Sequence, residues 1–464
     1  MTLATAAPPT LSDTLLRRLD MPGPRYTSYP TADRFVETFG PPQYHQALAQ
    51  RARRGSRDAL SVYVHIPFCD QVCYYCACNK VVTRHHERAG EYLQALRTEL
   101  ELQLAVIGPG RPLTQLHFGG GTPTFMADTE LTTLMALLRA SFSFEPDAEL
   151  SIEVDPRTVD AGRLAHLKLL GFNRLSFGVQ DFDPEVQQAV HRVQPYESVR
   201  TLMVEARRLG FASINADLIY GLPRQSPQSF ERTIEQVASL KPDRIALYAY
   251  AHLPQRFKPQ RRIDPADLPA AGARVHMLGA AIAGFIGRGY AHIGMDHFAL
   301  HDDALAVAKR EGRLHRNFQG YSTQPDCDLV ALGVSAIGKV GNSYSQNVKT
   351  LGLYYEALQH GRLPIERGLL LSADDLLRRD VIMALMCQGR VDFEAIAHAH
   401  GVTMRDTFGA EFERLEALAE QGLVQIGERD IQVTPTGWYF VRAVAMVFDA
   451  YVNSAQRERF SRIG

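Results

Sequence analysis

Cysteine is scarce in this chain, with six in 464 residues. That is too few to staple a chain of this length, and a sequence this long buries a core large enough to need no staples. A disulfide framework is therefore excluded, and a reducing compartment follows. An excess of either charge is also missing. Lys and Arg total 50 against 51 Asp and Glu, a formal net charge of -1, so bulk charge implies neither a nucleic acid nor a membrane surface as partner. No apolar run approaches the ~18 residues that mark a membrane span. The start, Met1-Thr-Leu-Ala-Thr-Ala-Ala-Pro-Pro9, lacks the basic opening and unbroken apolar core of a secretory signal. Cytoplasmic residence is the expectation by default. Low-complexity tracts and fixed-period repeats are absent as well. What remains, at 45% hydrophobic and 22% charged, is an ordinary globular composition with length for roughly two to three domains.

The few cysteines are not scattered. Four of the six fall within ten residues, Cys69-Asp-Gln-Val-Cys73-Tyr-Tyr-Cys76-Ala-Cys78, directly after the strand-like run Leu60-Ser-Val-Tyr-Val-His-Ile66. CxxxCxxC is the spacing of an iron–sulfur cluster held by three thiolates with one iron left open. Four-cysteine clusters are mainly electron carriers, whereas an open coordination position can bind and activate a small molecule. A structural zinc site is the competing reading. It would normally present a second, separated pair of Cys or His, and the remaining cysteines, Cys327 and Cys387, are isolated singles.

From about Leu60 the chain alternates between short β-branched runs at 60–66, 114–118, 149–154, 174–179, 213–219 and 244–249 and helical patterns such as Glu91–Leu104 and Ala161–Leu170. Six strand–helix repeats predict a parallel sheet that curls. Its strands are expected to be buried on both faces, with little polar alternation, as in Arg244-Ile-Ala-Leu-Tyr-Ala-Tyr250. Notable polar residues fall at one place in each repeat. The cysteines follow the first strand and Gly119-Gly-Gly-Thr-Pro-Thr124 the second. Glu153-Val-Asp155 ends the third, Gln180-Asp181 the fourth, Asp217 lies late in the fifth, and Tyr248 and Tyr250 end the sixth. In parallel α/β barrels that end of the sheet carries the active site. The three consecutive glycines let backbone pass close to a ligand and expose N–H and C=O groups to it; the alternative for such a run is a tight structural turn. GxGxxG spacing and the P-loop lysine are both absent.

Ahead of the barrel, Gly23-Pro-Arg-Tyr-Thr-Ser-Tyr-Pro-Thr31 is extended by its prolines and reads as an arm outside the core, after a short helical pattern around Leu11–Leu19. Behind it, Gly294-Met-Asp-His-Phe298, His315-Arg-Asn-Phe-Gln-Gly-Tyr321 and Gly333-Val-Ser-Ala-Ile337 read as elements returning to cover the barrel mouth. The last hundred or so residues change character. Helices at Leu376–Leu385, Phe393–His400 and Phe408–Glu420, then strands at Gly422–Ile426 and Ile431–Val433, make a winged-helix pattern. The helix from Phe408 is acidic, which argues against DNA and for a lid or scaffold. The division expected is 1–42 arm, 43–366 catalytic barrel with covering elements, and 367–464 winged-helix-like domain.

The run Tyr63-Val-His-Ile-Pro-Phe-Cys69 through Cys78-Asn-Lys80, with Gly119–Thr124, Ile152-Glu-Val-Asp-Pro156, Gly178-Val-Gln-Asp181 and Asp217-Leu-Ile-Tyr-Gly-Leu-Pro223, resembles the radical S-adenosylmethionine (SAM) superfamily. Within it the chain is most similar to the oxygen-independent coproporphyrinogen III oxidase family. The likeness extends from Pro24–Thr31 through Gly294–His297 and Asn317–Tyr321 to Phe460-Ser-Arg462. The resemblance implies an α/β fold, a partial (β/α)6 barrel with an N-terminal arm and a mainly helical winged-helix-like C-terminal domain. It implies a [4Fe–4S] cluster on Cys69, Cys73 and Cys76, with SAM on the fourth iron and Cys78 as an extra, non-ligating cysteine. Tyr63, Gly120, Glu153 and Ile337 would contact that SAM. Tyr75, Gly121, Thr122, Gln180, Arg192, Asp217 and Ala251 match positions for a second SAM. Without the resemblance, Glu153, Asp217 and Arg192 also read as a structural ion-pair network, and Ile337 and Ala251 as packing.

The implied chemistry starts with reductive cleavage of SAM to a 5′-deoxyadenosyl radical. The radical takes hydrogen from the β-carbon of a propionate, carbon dioxide leaves, and an electron passes to an acceptor. Two propionates of coproporphyrinogen III thereby become the vinyls of protoporphyrinogen IX in haem biosynthesis. A flavodoxin- or ferredoxin-type reductant and a monomeric state are expected, without nucleic acid or membrane. The four propionates call for cations, for which Arg25, His315 and Arg316 are candidates, with Tyr26 and Tyr29 to stack on pyrrole rings. A haem-binding chaperone with the same barrel and cysteine triad is the alternative. It lacks the fourth cysteine and typically the arm, so Cys78 and Arg25–Thr31 argue against it.

Overall fold

The computed structural model describes residues 23–53 and 58–452. The expected helix around Leu11–Leu19 and the tail Phe460-Ser-Arg462 lie outside the described residues. The six expected strands are β1 (Leu60–Ile66), β2 (Arg111–Gly120), β3 (Phe142–Val154), β4 (Arg174–Gln180), β5 (Ser213–Tyr220) and β6 (Arg244–Ala249). They lie side by side in that order, each parallel to the next. Helices cross between them, among them Arg88–Ile107, Asp128–Ser141, Ala161–Leu169, Tyr196–Arg208 and Pro227–Leu240. The last of these shows how sequence sets a helix start. Ser226 accepts from the Ser229 amide, Ser229 returns the bond to Ser226, and Pro227 occupies the first turn, where its missing N–H is no loss.

The stretch expected to cover the mouth instead extends the sheet to twelve strands. A hairpin of β7 (Tyr290–Gly294) and β8 (His297–Leu300) adds antiparallel to β6. At the other edge β9 (Asp328–Leu332) adds parallel to β1. The antiparallel strands β10 (Ile337–Val340), β11 (Ser343–Asn347) and β12 (Ile365–Leu370) follow. Only the short hairpin of His315–Asn317 with Gly320–Ser322 stands apart from that sheet.

The expectation of strands buried alike on both faces is also corrected. Along β4 and β5, Leu175, Phe177, Val179, Ile214, Ala216 and Leu218 are buried in the main apolar core. Their alternate neighbours Arg174, Ser176, Ser213, Asn215 and Asp217 line a cavity of about 150 Å³ together with Gln115 and Glu149 from β2 and β3 and Arg244 from β6. Side chains alternate at period two, so residues from five neighbouring strands reach one small cavity only because the sheet curls around it. Its inner face is polar.

The Pro-rich N-terminal segment is not an arm outside the core. Tyr26 and Tyr29 are completely buried. They belong to a second apolar core with Ile293 of β7, Leu377 and Leu385 of helix Ala373–Gln388, and Phe440. The Tyr26 hydroxyl donates to Asp449, and the Tyr29 hydroxyl accepts from the Ala450 amide. Two aromatic rings supply apolar area that outweighs an extended, proline-set backbone, and neither ring has a face left for a pyrrole. The winged-helix pattern is present: helices Ala373–Gln388, Phe393–His400 and Gly409–Ala419 pack with a sheet in the order Arg390–Asp392, Asp430–Val433, Val424–Ile426. Because its core is shared with the N-terminal segment and with β7 and β8, this unit is joined to the barrel.

Candidate active site

The cysteine loop is a closed loop before any cofactor is considered. Phe68–Cys69 pairs in parallel with Val81–Val82 at its base. The Thr83 amide donates to the Cys69 carbonyl at 2.9 Å, and the Cys76 amide turns back onto the Cys73 carbonyl at 3.2 Å. The Lys80 ammonium donates to the Cys76 carbonyl at 3.2 Å. The buried Gln260 amide donates to the Tyr75 carbonyl at 3.0 Å and to that of Ala251 at 3.1 Å. Ala251 is thus tied to the loop through its backbone.

The glycine turn fits against this loop with no room to spare. A Cβ on Gly121 would come within 2.6 Å of the Pro67 carbonyl oxygen and 2.7 Å of that of Phe68, and Gly120, at φ +119°, would press one into the His65 ring. The Gly121 and Thr122 amides donate to the Ile66 and Phe68 carbonyls, each at 2.8 Å, and the Gly120 amide to Glu153 Oε2 at 3.0 Å. Those three N–H groups are therefore engaged within the protein and are not free for a ligand. The glycines serve close packing of two backbone segments and also line the cavity between them.

Cys69, Cys73 and Cys76 share one cavity of about 280 Å³ with Tyr75, Gly120, Gly121, Thr122, Glu153, Gln180, Arg192 and Asp217. Tyr63 and Ile337 line instead a neighbouring cavity of about 800 Å³, which also has Gly120, Glu153, Cys78 and Tyr248 in its wall. Gly120, Glu153, Cys78 and Tyr248 are common to both, so the two spaces are continuous at the strand ends. Of the residues expected to contact either SAM, Ala251 alone lines neither cavity.

Sequence reasoning named Asp155, Arg192 and Asp217 but missed Arg157 and the way these groups are held together. Asp155 accepts from Arg157 Nη2 at 2.7 Å, from the Arg157 amide at 3.0 Å and from Arg192 Nη1 at 3.1 Å. The two guanidinium groups in turn reach Cys73 Sγ at 3.5 and 3.4 Å. Burial alone would raise the Asp155 carboxyl, but Arg192 and Arg157 outweigh it and hold it below its ordinary value. For Asp217 burial prevails, with Glu153 adding repulsion, and the carboxyl is pushed up to about 6 although Ser176 and Asn215 donate to it. Tyr63 stacks on His117 at 5.8 Å, and its hydroxyl meets His65 Nδ1 at 3.1 Å. The period-two pairs Gln115/His117 and Glu149/Ser151/Glu153 were the readable signal for this lining; nothing local marks Gln260.

The donor set suits the implied cofactors. Cys69, Cys73 and Cys76 line one cavity, and cysteine thiolates are the ligands of an iron–sulfur cluster. Two cations beside Cys73 suit an anionic one. Arg192 Nε is buried without a partner in the cavity wall, a donor that a carboxylate can satisfy.

The radical SAM superfamily model matches residues 63–237, and the HemN C-terminal domain model matches residues 371–440. The oxygen-independent coproporphyrinogen III oxidase of Salmonella typhimurium is 48% identical over 450 residues, covering 97% of each chain. The chain belongs to this oxidase family of radical SAM proteins. Its Pseudomonas aeruginosa member is 48% identical over 451 residues, 97% of this chain and 98% of its own, and the Helicobacter pylori (strain ATCC 700392 / 26695) member 41% over 437. The solved Escherichia coli coproporphyrinogen III oxidase, described as a radical SAM enzyme, superposes with a TM-score of 0.89 at 48% identity, covering 92% of this chain and 98% of that one. Family membership implies a [4Fe–4S] cluster and SAM.

The cations singled out for the propionates lie elsewhere. Arg25 forms an ion pair with Asp296 and stands 5.0 Å over the Tyr248 ring, and Arg316 donates to the Arg25 carbonyl. None of Arg25, His315 and Arg316 lines the 800 Å³ cavity, whereas Arg256 and Lys349 do.

Proposed function

We propose that the protein converts two propionate side chains of coproporphyrinogen III to vinyl groups without oxygen, giving protoporphyrinogen IX. The observation that carries this is the pairing of a three-thiol cavity with an adjoining one of about 800 Å³, large enough for a drug-sized or larger ligand, in a chain alike over nearly its full length to enzymes of that name. In this reading Cys69, Cys73 and Cys76 hold the cluster, and Tyr63, Gly120, Glu153 and Ile337 surround the SAM bound to it. The pair supplies one-electron cleavage chemistry when bound. The protein's own contribution is placement and exclusion of water. Glu153 is fixed by the Gly120 amide so that it faces both cavities, and His65 and His117 fix the Tyr63 ring in the wall of the larger one.

The reading extends to a second SAM among Tyr75, Gly121, Thr122, Gln180, Arg192, Asp217 and Ala251. The partnerless Arg192 Nε and the raised Asp217 carboxyl, both on the same cavity, support it. It also includes the three-part division at 42 and 366, a flavodoxin- or ferredoxin-type reductant, a monomer and a cytoplasmic setting that keeps the ligating thiols reduced. Among the described residues no helix is long and apolar enough to cross a membrane. The haem-chaperone alternative is not favoured, since relatives 48% identical to this chain carry the oxidase name. Anaerobic incubation with coproporphyrinogen III, SAM and a reductant is expected to give the divinyl product. Stable haem capture without any vinyl product would overturn the proposal.

A further inference from the structure

The segment after β6 packs the cysteine loop from outside and carries an unneutralised charge. Within seven residues it places Arg256, Lys258, Arg261 and Arg262, all exposed, and no acid occurs from Ile245 to Ile263. Among the described residues none of the four forms an ion pair: Arg256 stacks on Phe257, and Arg261 donates to the Pro254 carbonyl. The next acids along the chain are Asp264, which caps the following turn, and Asp267, which is taken by Arg224. On a chain whose net charge is -1, four cations so grouped form a local positive field.

The underside of this segment is fixed. Gln260 is buried and bonds the Tyr75 and Ala251 carbonyls, and Ile263 belongs with Tyr250 to a small apolar cluster against which Tyr74 and Tyr75 pack. Arg262 lies 5.2 Å over the ring of Tyr74, the residue next to Cys73, and that ring stacks on His191 at 5.1 Å. Arg262 thus rests on the residue that follows Cys73, the proposed cluster ligand, in the chain. Lys258, Arg261 and Arg262 are not among the residues lining the 800 Å³ cavity, so substrate leaves them free.

We infer that Lys258, Arg261 and Arg262 form the docking surface for an acidic one-electron donor protein, which gives up one electron over Tyr74 while the cluster gains it. This rests on the proposed radical SAM function. Complementary charge of this kind acts mainly on encounter rate and falls with salt.

The test uses full-length holoprotein with oxidised and reduced flavodoxin, a [2Fe–2S] ferredoxin in a parallel arm, and dithionite as a small reductant. Binding of oxidised flavodoxin or ferredoxin is measured by titration calorimetry at low and high salt, and cluster reduction by stopped-flow absorbance. In R261E/R262E at low salt we expect the protein-driven reduction rate to fall at least about tenfold, with weaker, less salt-dependent binding and an unchanged dithionite rate. Lys258→Glu, whose side chain makes no contact that a fold depends on, gives the same direction at smaller size. Unchanged affinity, rate and salt slope in both variants would overturn the docking surface. Should wild type reduced by dithionite fail to cleave SAM, the proposed function would fail instead; the binding titrations would still decide the surface.

Discussion

Asp217 offers a stability measurement that probes the site without turnover. Its carboxyl is pushed from 3.8 to about 6 by burial first and by Glu153 second. A raised carboxyl is a cost to the folded state. The unfolded chain ionises near pH 4 and the folded one near 6, so stability falls as pH rises between those values and stays lower above them. Two pKa units correspond to about 3 kcal/mol. Asp217→Asn removes the ionisation, keeps an oxygen to accept from Asn215 and puts an amide toward the Ser176 hydroxyl, whose oxygen can accept from it. In cofactor-free protein the variant should therefore unfold at higher temperature than wild type at pH 7, by about 2 to 3 kcal/mol, with the gap closing toward pH 4. SAM added to the holoprotein should stabilise wild type more than the variant. Thermal unfolding followed by circular dichroism at pH 4, 5, 6, 7 and 8 checks this. A difference independent of pH, or a variant less stable at pH 7, would refute the assignment of a desolvated carboxylate beside Glu153 in the cavity wall.

Asp155→Ala should be strongly destabilising, by about 3 to 5 kcal/mol, because Arg192 and Arg157 lose their shared carboxylate beside Cys73; since that carboxyl is held below its ordinary value, the loss is full at neutral pH and shrinks only below about pH 4, as chemical denaturation at several pH values will read. Gly121→Ala drives a methyl against two backbone oxygens and should lower the iron content of reconstituted protein while leaving far-UV circular dichroism intact; normal iron content would show that the loops yield. Cys78→Ser should retain the iron and sulfide content of wild type, whereas serine at Cys69, Cys73 or Cys76 should not, as iron analysis after anaerobic reconstitution will report.

Which parts of the structure were legible follows from how local each cause is. All six barrel strands were readable because each is a short, largely apolar run with a chemically distinctive residue or motif at or just after its end, and the cysteine and glycine motifs carry their meaning in spacing. Tyr26 and Tyr29 were misread because their burial depends on Asp449 and Ala450, more than four hundred positions away, while the prolines beside them signal only extension. The edge strands from β7 to β12 pair at sheet margins set by β6 and β1, and short segments such as Ile337–Val340 carry too little pattern of their own. Asp155 was quoted with Glu153 as one motif, yet its role as the carboxylate between two arginines appears only once Arg157 and Arg192 are folded against it. Arg256 and Lys349 reach the large cavity from loops whose course no periodicity announces.

The central claim is that three thiolates at the mouth of this barrel enable radical decarboxylation. Its most direct test is an anaerobic reaction of the reconstituted chain with coproporphyrinogen III, SAM and reductant, in which 5′-deoxyadenosine and carbon dioxide are quantified for wild type and Cys73→Ala. Both products should form with wild type and neither above background with the variant, while 5′-deoxyadenosine and carbon dioxide released by Cys73→Ala at the wild-type rate would contradict the claim.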